Sequence, residues 1–143
     1  MPHCNFIRFS SNSMYTFKKE ERLCNKKLID GLFHNGSSFL CYPFKVSWLA
    51  APAGQVVPVQ IVFAVAKKRY KHAVDRNLIK RRMRETYRIL KQQALYDTLL
   101  ASEKTILLSI GFIGKEIADY STMEKKMLKT LLQVIAQAIP ASA

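Results

Sequence analysis

Residues 67–91 combine a helical repeat of apolar side chains with a dense concentration of positive charge. Eleven of the chain's 23 Lys and Arg residues lie in this segment, and only Asp75 and Glu85 offset them, so the local charge is +9. At 100° per residue, one face of the segment is apolar and a second face, centred about 120° away, is basic. The apolar face contains Ile79, Met83, Thr86, Tyr87, Leu90 and Ala94. The basic face contains Asn77, Lys80, Arg81, Arg84, Arg88 and Lys91. This pattern predicts a helix over about 73–94 that packs on a core and presents cations outward.

An ordinary solvated surface does not explain the basic face. Solvated helix faces usually mix charge signs, whereas Arg76, Lys80, Arg84 and Arg88 stand four residues apart and repel each other. Arg also forms bidentate contacts with phosphate. With a net charge of +13 and a pI near 9.9, the chain is expected to bind a polyanion, and nucleic acid is the leading candidate. Arg76 is placed to reach back to the residues before the helix.

A membrane partner is not expected. The apolar face of the basic helix lacks Trp and Phe, which suits a protein core better than a lipid surface. No apolar run approaches the roughly 18 residues of a membrane span. Three widely spaced cysteines (Cys4, Cys24 and Cys41) suggest neither a disulfide framework nor a zinc site and fit a reducing cytoplasm. Residues 1–16 are predicted to be a disordered lead-in without signal-peptide features, followed by a single domain over residues 17–143.

The remaining elements alternate between strands and helices. A short helix is predicted over 25–34, with Asn25 as its N-cap and Gly36 after its end. Apolar and polar residues alternate over 44–48, which predicts a half-buried strand, with Pro43 at its start or at a sheet edge. Residues 51–58 are expected to form a hairpin loop, and 59–66 a central strand because they are almost entirely apolar. A buried strand over 104–113 and a final helix over 121–139 complete a mixed α+β sandwich.

No catalytic centre made of protein groups is expected. The ten acidic residues are scattered, and the three histidines lack the spacing of metal ligands. Asp75 and Glu85 are expected to pair with cations of the basic face, and the glycines fit caps and turns rather than a phosphate loop. A self-contained nuclease is therefore disfavoured, and no metal ligands are predicted in the protein.

The segment from Phe63 to Arg88 resembles the signature of the protein subunit of bacterial ribonuclease P. A buried strand runs into a Lys pair, and fixed dipeptides follow at set spacings in the basic helix. These are Lys67-Lys68, Ala73-Val74, Arg76-Asn77, Lys80-Arg81, Arg84-Glu85 and Tyr87-Arg88. The likeness extends from about Phe17 to Gln133 and includes Arg22-Leu23 and Phe33 before Gly36. So many identities at fixed spacing are more specific than a run of basic residues.

The resemblance implies a two-layer α+β sandwich of a four-stranded mixed sheet and helices, with the basic helix as a left-handed crossover between parallel strands. It also implies a ribonucleoprotein in which a catalytic RNA, using Mg²⁺, removes the 5′ leader from precursor tRNA. The protein would bind the catalytic RNA through the basic helix and the loop before it, at Lys71, Arg76, Asn77, Lys80, Arg81, Arg84, Arg88 and Lys91. A cleft between the sheet and the first helix would bind the leader, at Phe17, Arg22, Phe33, Tyr42, Phe44, Lys67 and Lys68. The protein would raise affinity for precursor tRNA and lower the Mg²⁺ requirement.

Three residues depart from the family pattern. Leu78 replaces a basic residue on the helix, Ile29 replaces an aromatic residue on the first helix, and Ala66 replaces a Ser before the Lys pair. They leave the family assignment intact but bear on how the leader would be recognised. The alternative function is a general RNA-binding or ribosomal-type protein with no role in cleavage, which would bind mature and precursor tRNA alike.

Overall fold

The computed structural model describes residues 19–51 and 57–139. The predicted lead-in and Phe17 lie outside these residues, as does most of the predicted loop over 51–58. After a single 3₁₀ turn (Lys19–Glu21), the elements in chain order are α1 (Lys26–Asn35), β1 (Ser37–Cys41), β2 (Phe44–Ala50), β3 (Val59–Val65), α2 (Ala73–Lys91), a π-helical turn (Gln92–Tyr96), α3 (Asp97–Ala101), β4 (Ile106–Phe112) and α4 (Tyr120–Ala138).

The first helix has the ends that its sequence predicts. The Asn25 side chain accepts hydrogen bonds from the backbone N–H groups of Lys27 (3.0 Å) and Leu28 (3.4 Å), which caps the helix start. The Gly36 N–H donates to the Leu32 carbonyl at 2.9 Å and ends the helix. A side chain could not replace this glycine's hydrogen, because a Cβ would lie 2.8 Å from the Trp48 carbonyl oxygen. Gly36 therefore lets α1 turn closely against β2.

The four strands form one mixed sheet in the order β1-β2-β4-β3. β2 is antiparallel to both neighbours, whereas β3 and β4 are parallel and α2 connects them. The predicted class, a four-stranded mixed sheet with helices, is confirmed. The predicted hairpin between β2 and β3 is wrong, because β4 lies between these two strands. β1 was not predicted from its sequence, and Pro43 occupies the turn directly before β2, next to a cis Tyr42–Pro43 peptide bond.

β3 was predicted as a central strand, but it lies at the edge of the four-stranded sheet. Its sequence is apolar because one face packs in the main core and part of the other face is also covered. Val59, Ile61 and Val65 face the main core, whereas Val62 packs against a smaller cluster formed by Leu23, Leu32 and Leu107. Its outer edge is also partly paired, since Arg22 forms a parallel bridge with Ile61 and the Leu23 N–H donates to the Ile61 carbonyl at 2.9 Å.

The main core lies between one face of the sheet and helices α2 and α4. The core side chains of the sheet and of these two helices are fully or almost fully buried. They include Phe44, Val46, Ile61, Ile110 and Phe112 from the strands, and Ile79, Met83, Tyr87, Met127 and Leu131 from the helices. Trp48, predicted to be in the core, is half-buried at its margin and donates from Nε1 to the Gln137 side chain at 2.9 Å. α1 covers part of the opposite face, and the rest of that face forms the groove described below.

The basic helix continues further than predicted. After Lys91 it passes through the π-helical turn and α3 and ends at Ala101, where 94 was the predicted end. In the residues that the structure describes, no helix is both long enough and apolar enough to span a membrane.

Candidate nucleic-acid interface

The basic face of α2 is solvent-accessible for most of its length. Asn77, Arg81 and Arg84 are exposed, and Lys80 is half-buried beside them. The opposite face of the helix is buried through Ile79, Met83, Thr86 and Tyr87. Packing of the apolar face therefore orients the cations outward, and a phosphate backbone could approach several of them at once.

Two other arginines of α2 hold neighbouring loops. Arg76 Nη1 donates to the backbone carbonyls of Tyr70 (2.8 Å) and Lys71 (2.9 Å), as predicted from its position at the helix start. Arg82 Nη1 donates to the Ala118 carbonyl at 2.6 Å. Arg76 is half-buried, so its charge is placed where the loop meets the helix. Its predicted role as an RNA contact stays a prediction.

The two C-terminal cations of the predicted basic face are engaged by acidic residues. Arg88 Nη2 forms an ion pair with Glu85 at 2.9 Å, so part of its charge is neutralised within the helix. Lys91 is 2% exposed and pairs with the carboxylate of Glu21 inside the protein. The prediction that Lys91 binds RNA is wrong. Its helical angle matches the basic face, but the 3₁₀ turn folds over it and removes it from solvent.

The loop between β3 and α2 adds more cations beside the helix. Lys67, Lys68 and Lys71 are all exposed. Tyr70 is buried between them, and its hydroxyl donates to the Gly114 carbonyl at 2.8 Å. This anchor fixes the loop on the protein, so its lysines form one continuous positive surface with the start of α2.

The uncovered part of the second sheet face forms a groove of about 360 Å³ beside α1, which we call the sheet groove. Its floor consists of small or polar residues from all four strands, and Phe33 of α1 stands at its wall. The lining residues include Phe33, Ser38, Lys45, Ser47, Ala64, Ala66, Ser109 and Gly111. This is the place between sheet and first helix where the resemblance implies a leader cleft.

The predicted aromatic residues of the cleft have different positions. Phe33 lines the sheet groove and is 59% exposed, so its ring is available for stacking. Tyr42 is also 59% exposed, but it lies in the turn between β1 and β2, where its hydroxyl accepts from the Lys115 N–H at 3.3 Å. The prediction for Phe44 is wrong: its side chain is fully buried on the other face of the sheet and packs edge-to-face with Phe112.

Arg22 lies apart from the other residues predicted to bind the leader. With Lys80 and Arg84 it lines a second groove of about 240 Å³ at the outer edge of β3, which we call the edge groove. The bridge between Arg22 and Ile61 fixes this position. The structure thus brings Arg22 together with two cations of the basic face, whereas Lys67 and Lys68 follow Ala66 at the end of the sheet groove.

The sequence interpretation missed four polar residues of the sheet groove, namely Ser38, Lys45, Ser47 and Ser109. A signal was present for the last three, whereas Ser38 lies in β1, which was not predicted. Lys45 and Ser47 are the polar members of the alternating pattern in β2, and Ser109 is the one polar residue in the strand sequence ILLSIGF. In the described residues no three His, Cys, Asp or Glu side chains come together to hold a metal ion.

The fold and these surfaces define an α+β protein with a basic crossover helix and a groove on its sheet, a form suited to binding RNA. Comparison with known proteins gives the family. The sequence model of the family named Ribonuclease P matches residues 17–134, and the chain belongs to this family.

Two curated relatives illustrate the match. The chain is 35% identical over 136 residues to the "Ribonuclease P protein component" of Porphyromonas gingivalis strain W83, covering 94% of this chain and 96% of the relative. It is 30% identical over 123 residues to the protein of the same name from Petrotoga mobilis, covering 85% and 97%. The solved structure of the Staphylococcus aureus RNase P protein superposes with a TM-score of 0.59 over 80% of this chain and 94% of that one, at 20% identity, which shows the shared fold.

Proposed function

We propose that this chain is the non-catalytic protein subunit of a ribonuclease P ribonucleoprotein, in which the RNA subunit cleaves the 5′ leader from precursor tRNA. The observation that carries the proposal is the presence of two separate surfaces that are each suited to binding RNA. One is the exposed basic face of α2, and the other is the sheet groove with Phe33 at its wall. One surface would bind the catalytic RNA while the other receives the single-stranded leader.

On the basic face, Asn77, Lys80, Arg81 and Arg84 would contact phosphates of the catalytic RNA. Lys71 and Arg76 would extend this contact at the helix start, and Arg88 would contribute more weakly because it is paired with Glu85. The position of Arg22 in the edge groove supports a contact with the catalytic RNA in place of the predicted leader contact. Each cation that neutralises a phosphate releases a counterion, so this binding would depend strongly on salt.

In the sheet groove, the leader would lie beside Phe33, with Lys67 and Lys68 near its backbone and Tyr42 at the far turn. Stacking on an exposed aromatic ring supports binding of single-stranded RNA of varied sequence. Affinity for precursor tRNA over mature tRNA would come from this groove.

Mg²⁺ would be held by the RNA. The residues that the structure describes do not fit a Mg²⁺ site made by the protein, because no three His, Cys, Asp or Glu side chains converge among them. The protein's contribution would be charge: a net charge of +13 offsets repulsion between the phosphates of two RNAs and so lowers the Mg²⁺ concentration that they need. The free thiols of Cys24 and Cys41 fit a reducing cytoplasm as the compartment in which the ribonucleoprotein would act.

The test is cleavage of 5′-labelled precursor tRNA at low Mg²⁺ with the catalytic RNA alone, the protein alone, and both together. We expect cleavage at the leader junction only in the mixture. Cleavage by the protein alone would contradict a non-catalytic role. If the protein did not stimulate the RNA, the alternative of a general RNA-binding protein would be favoured. Equal affinity of the protein for mature and precursor tRNA would then support that alternative.

A further inference from the structure

Three serines lie in register across the floor of the sheet groove. Ser38 of β1 pairs with Ser47 of β2, and Ser47 pairs in turn with Ser109 of β4. All three line the groove. Directly opposed residues of antiparallel strands have Cβ atoms about 5 Å apart on one face of the sheet. The groove floor therefore carries a short row of hydroxyl groups at its centre.

The two inner serines of this row are buried as residues, and their hydroxyl groups have no hydrogen-bond partner in the described part of the protein. Ser47 is 9% exposed and Ser109 is 4% exposed. Among residues 19–51 and 57–139, neither side chain donates or accepts a hydrogen bond. Both hydroxyl oxygens keep some solvent contact, and a hydroxyl without a protein partner normally bonds to water or to a ligand. The small surface that remains to these side chains lies in the groove, so a ligand in the groove can satisfy them.

The next row of residues on the groove floor has open space above it, and the packing of the protein does not depend on keeping this space empty. Lys45, Gly111 and Ala64 lie opposite one another on β2, β4 and β3. A Cβ at Gly111 would lie 3.7 Å from the Lys45 carbonyl oxygen and 3.9 Å from the Ala64 carbonyl oxygen, which are ordinary contacts. Packing would thus tolerate a side chain at Gly111, and the open space suits a flat ligand that approaches the serines.

The chemistry of the groove favours a nucleobase over a phosphate at this point. A serine hydroxyl is neutral and both donates and accepts, which matches the mixed donors and acceptors of a base edge. Phe33 supplies an exposed ring at the wall for the face of the same base. Unpaired RNA bases are commonly recognised in this way, stacked on an aromatic ring and hydrogen-bonded along an edge. Lys45, one row away, is a cation for the adjoining phosphate.

We propose that the hydroxyls of Ser47 and Ser109 hydrogen-bond to the polar edge of one unpaired leader base and so determine leader preference at that position. The proposal rests on the proposed function, because it takes the sheet groove to be the leader site. It names the contact within that groove which distinguishes one leader from another.

The experiment uses the holoenzyme reconstituted from the protein and its catalytic RNA. Affinity is measured for precursor tRNAs in which a single abasic nucleotide is moved along the leader, and for mature tRNA. The wild-type protein should show one leader position at which loss of the base weakens binding most. Ser47→Ala and Ser109→Ala should each weaken binding of the intact leader about fivefold, as expected for a lost hydrogen bond. In the double variant, the abasic penalty at that position should shrink while affinity for mature tRNA stays unchanged.

Ser121→Ala is the matched control, because Ser121 is exposed at the start of α4 and does not line the groove. It should reproduce the wild-type abasic profile. An unchanged profile in the Ser47→Ala/Ser109→Ala variant would overturn the inference and leave these hydroxyls bonded to water. A penalty that follows a 2′-deoxy substitution instead of the abasic one would also overturn it, in favour of a ribose contact. If the wild-type holoenzyme bound precursor and mature tRNA equally, the sheet groove would not be a leader site. That result would contradict the proposed function itself, independently of the serine variants.

Discussion

Lys91, at the end of the basic helix, donates to the carboxylate of Glu21, seventy residues earlier in the chain, and both side chains are buried. The Tyr96 hydroxyl donates to the same carboxylate oxygen. The ion pair therefore joins the segment before α1 to the point where α2 passes into the π-helical turn. Because Arg22 directly follows Glu21, the same contact places Arg22 beside Lys80 and Arg84 in the edge groove.

Removing one partner of this buried pair should destabilise the protein strongly. Lys91→Ala or Glu21→Ala would leave an unpaired charge in the core, so each should lower the free energy of unfolding by about 3–5 kcal/mol. The double variant Glu21→Gln/Lys91→Met buries no charge and retains an oxygen for Tyr96, so it should lose less than either single variant. Urea unfolding measures the free energy of unfolding of the two single variants and of the double variant.

Lys129→Ala provides the control for this series, because Lys129 is exposed on α4. It should change the free energy of unfolding by less than about 0.5 kcal/mol. The free energy of unfolding lost by the double variant could instead equal the sum of the losses in the two single variants. That result would contradict the buried ion pair, since it would mean that the two charges do not interact.

The tyrosines of this network should make the protein sensitive to alkali. Burial raises the pKa of Tyr87 above its ordinary value of 10.0, and the charge of Glu21 raises it further. Burial likewise raises the pKa of Tyr96, with added contributions from Tyr87 and Glu21. The unfolded chain then releases these protons near pH 10 while the folded protein keeps them. The stabilisation is fully present below about pH 10 and is lost as the pH rises further.

Each buried tyrosine should contribute a slope that approaches about −1.4 kcal/mol per pH unit in the free energy of unfolding. Tyr87→Phe removes one titrating group, so the decline in stability above pH 10 should become shallower by that amount. Urea unfolding of the wild type and this variant, at several pH values from about 9 to about 11, measures the difference. Equal slopes would show that Tyr87 ionises as readily in the folded protein as in the unfolded chain.

Local sequence signals predicted the helices well. The ends of α1 depend on Asn25 and Gly36, which act within a few residues of their own position, and the face of α2 that packs on the core follows from its apolar repeat. The order of the strands could not be predicted in the same way. β3 has an apolar sequence because one of its faces packs in the main core, and Leu23 and α1 cover Val62 on the other. These contacts join parts of the chain that are distant in sequence.

The errors at the site have a similar cause. Lys91 follows the helical angle of the basic face, and only the contact with Glu21 shows that it is buried. Alternation in β2 put Phe44 on the apolar side, which faces the core, and Lys45 on the other side. The leader contact predicted for Phe44 followed the resemblance and not this pattern. The serine row depends on the register of three strands, which no single strand reveals.

Binding of the catalytic RNA should lose salt dependence when an exposed cation of α2 is removed. Arg84→Ala and Lys80→Ala should each weaken binding and reduce the slope of log affinity against log salt by about one unit, because one fewer counterion is released. Affinity measured at several salt concentrations gives this slope. Lys129→Ala, which removes an exposed cation on α4, should leave it nearly unchanged. The basic face would not be the phosphate contact if Arg84→Ala and Lys80→Ala both kept the wild-type slope.

Arg22→Ala distinguishes between the two surfaces. If Arg22 acts with Lys80 and Arg84 in the edge groove, the variant should reduce the same salt slope, with the catalytic RNA alone as ligand. If Arg22 contacts the leader, as the resemblance implied, the slope for the catalytic RNA should not change and only affinity for precursor tRNA should fall.

Two phenylalanines provide the sharpest test of the leader site, because they differ in exposure. Phe33→Ala should weaken precursor tRNA binding to the holoenzyme by about 1–3 kcal/mol, the usual worth of a base stacked on an aromatic ring. Affinity for mature tRNA, which has no leader, should stay the same. Since the Phe33 ring is 59% exposed, its loss should cost little stability.

Phe44→Leu should behave in the opposite way. The Phe44 ring is fully buried against Phe112, so the variant should lower the free energy of unfolding by about 1 kcal/mol and leave the preference for precursor over mature tRNA intact. If Phe44→Leu reduced that preference while Phe33→Ala did not, the leader would not lie in the sheet groove, because the two rings stand on opposite faces of the sheet.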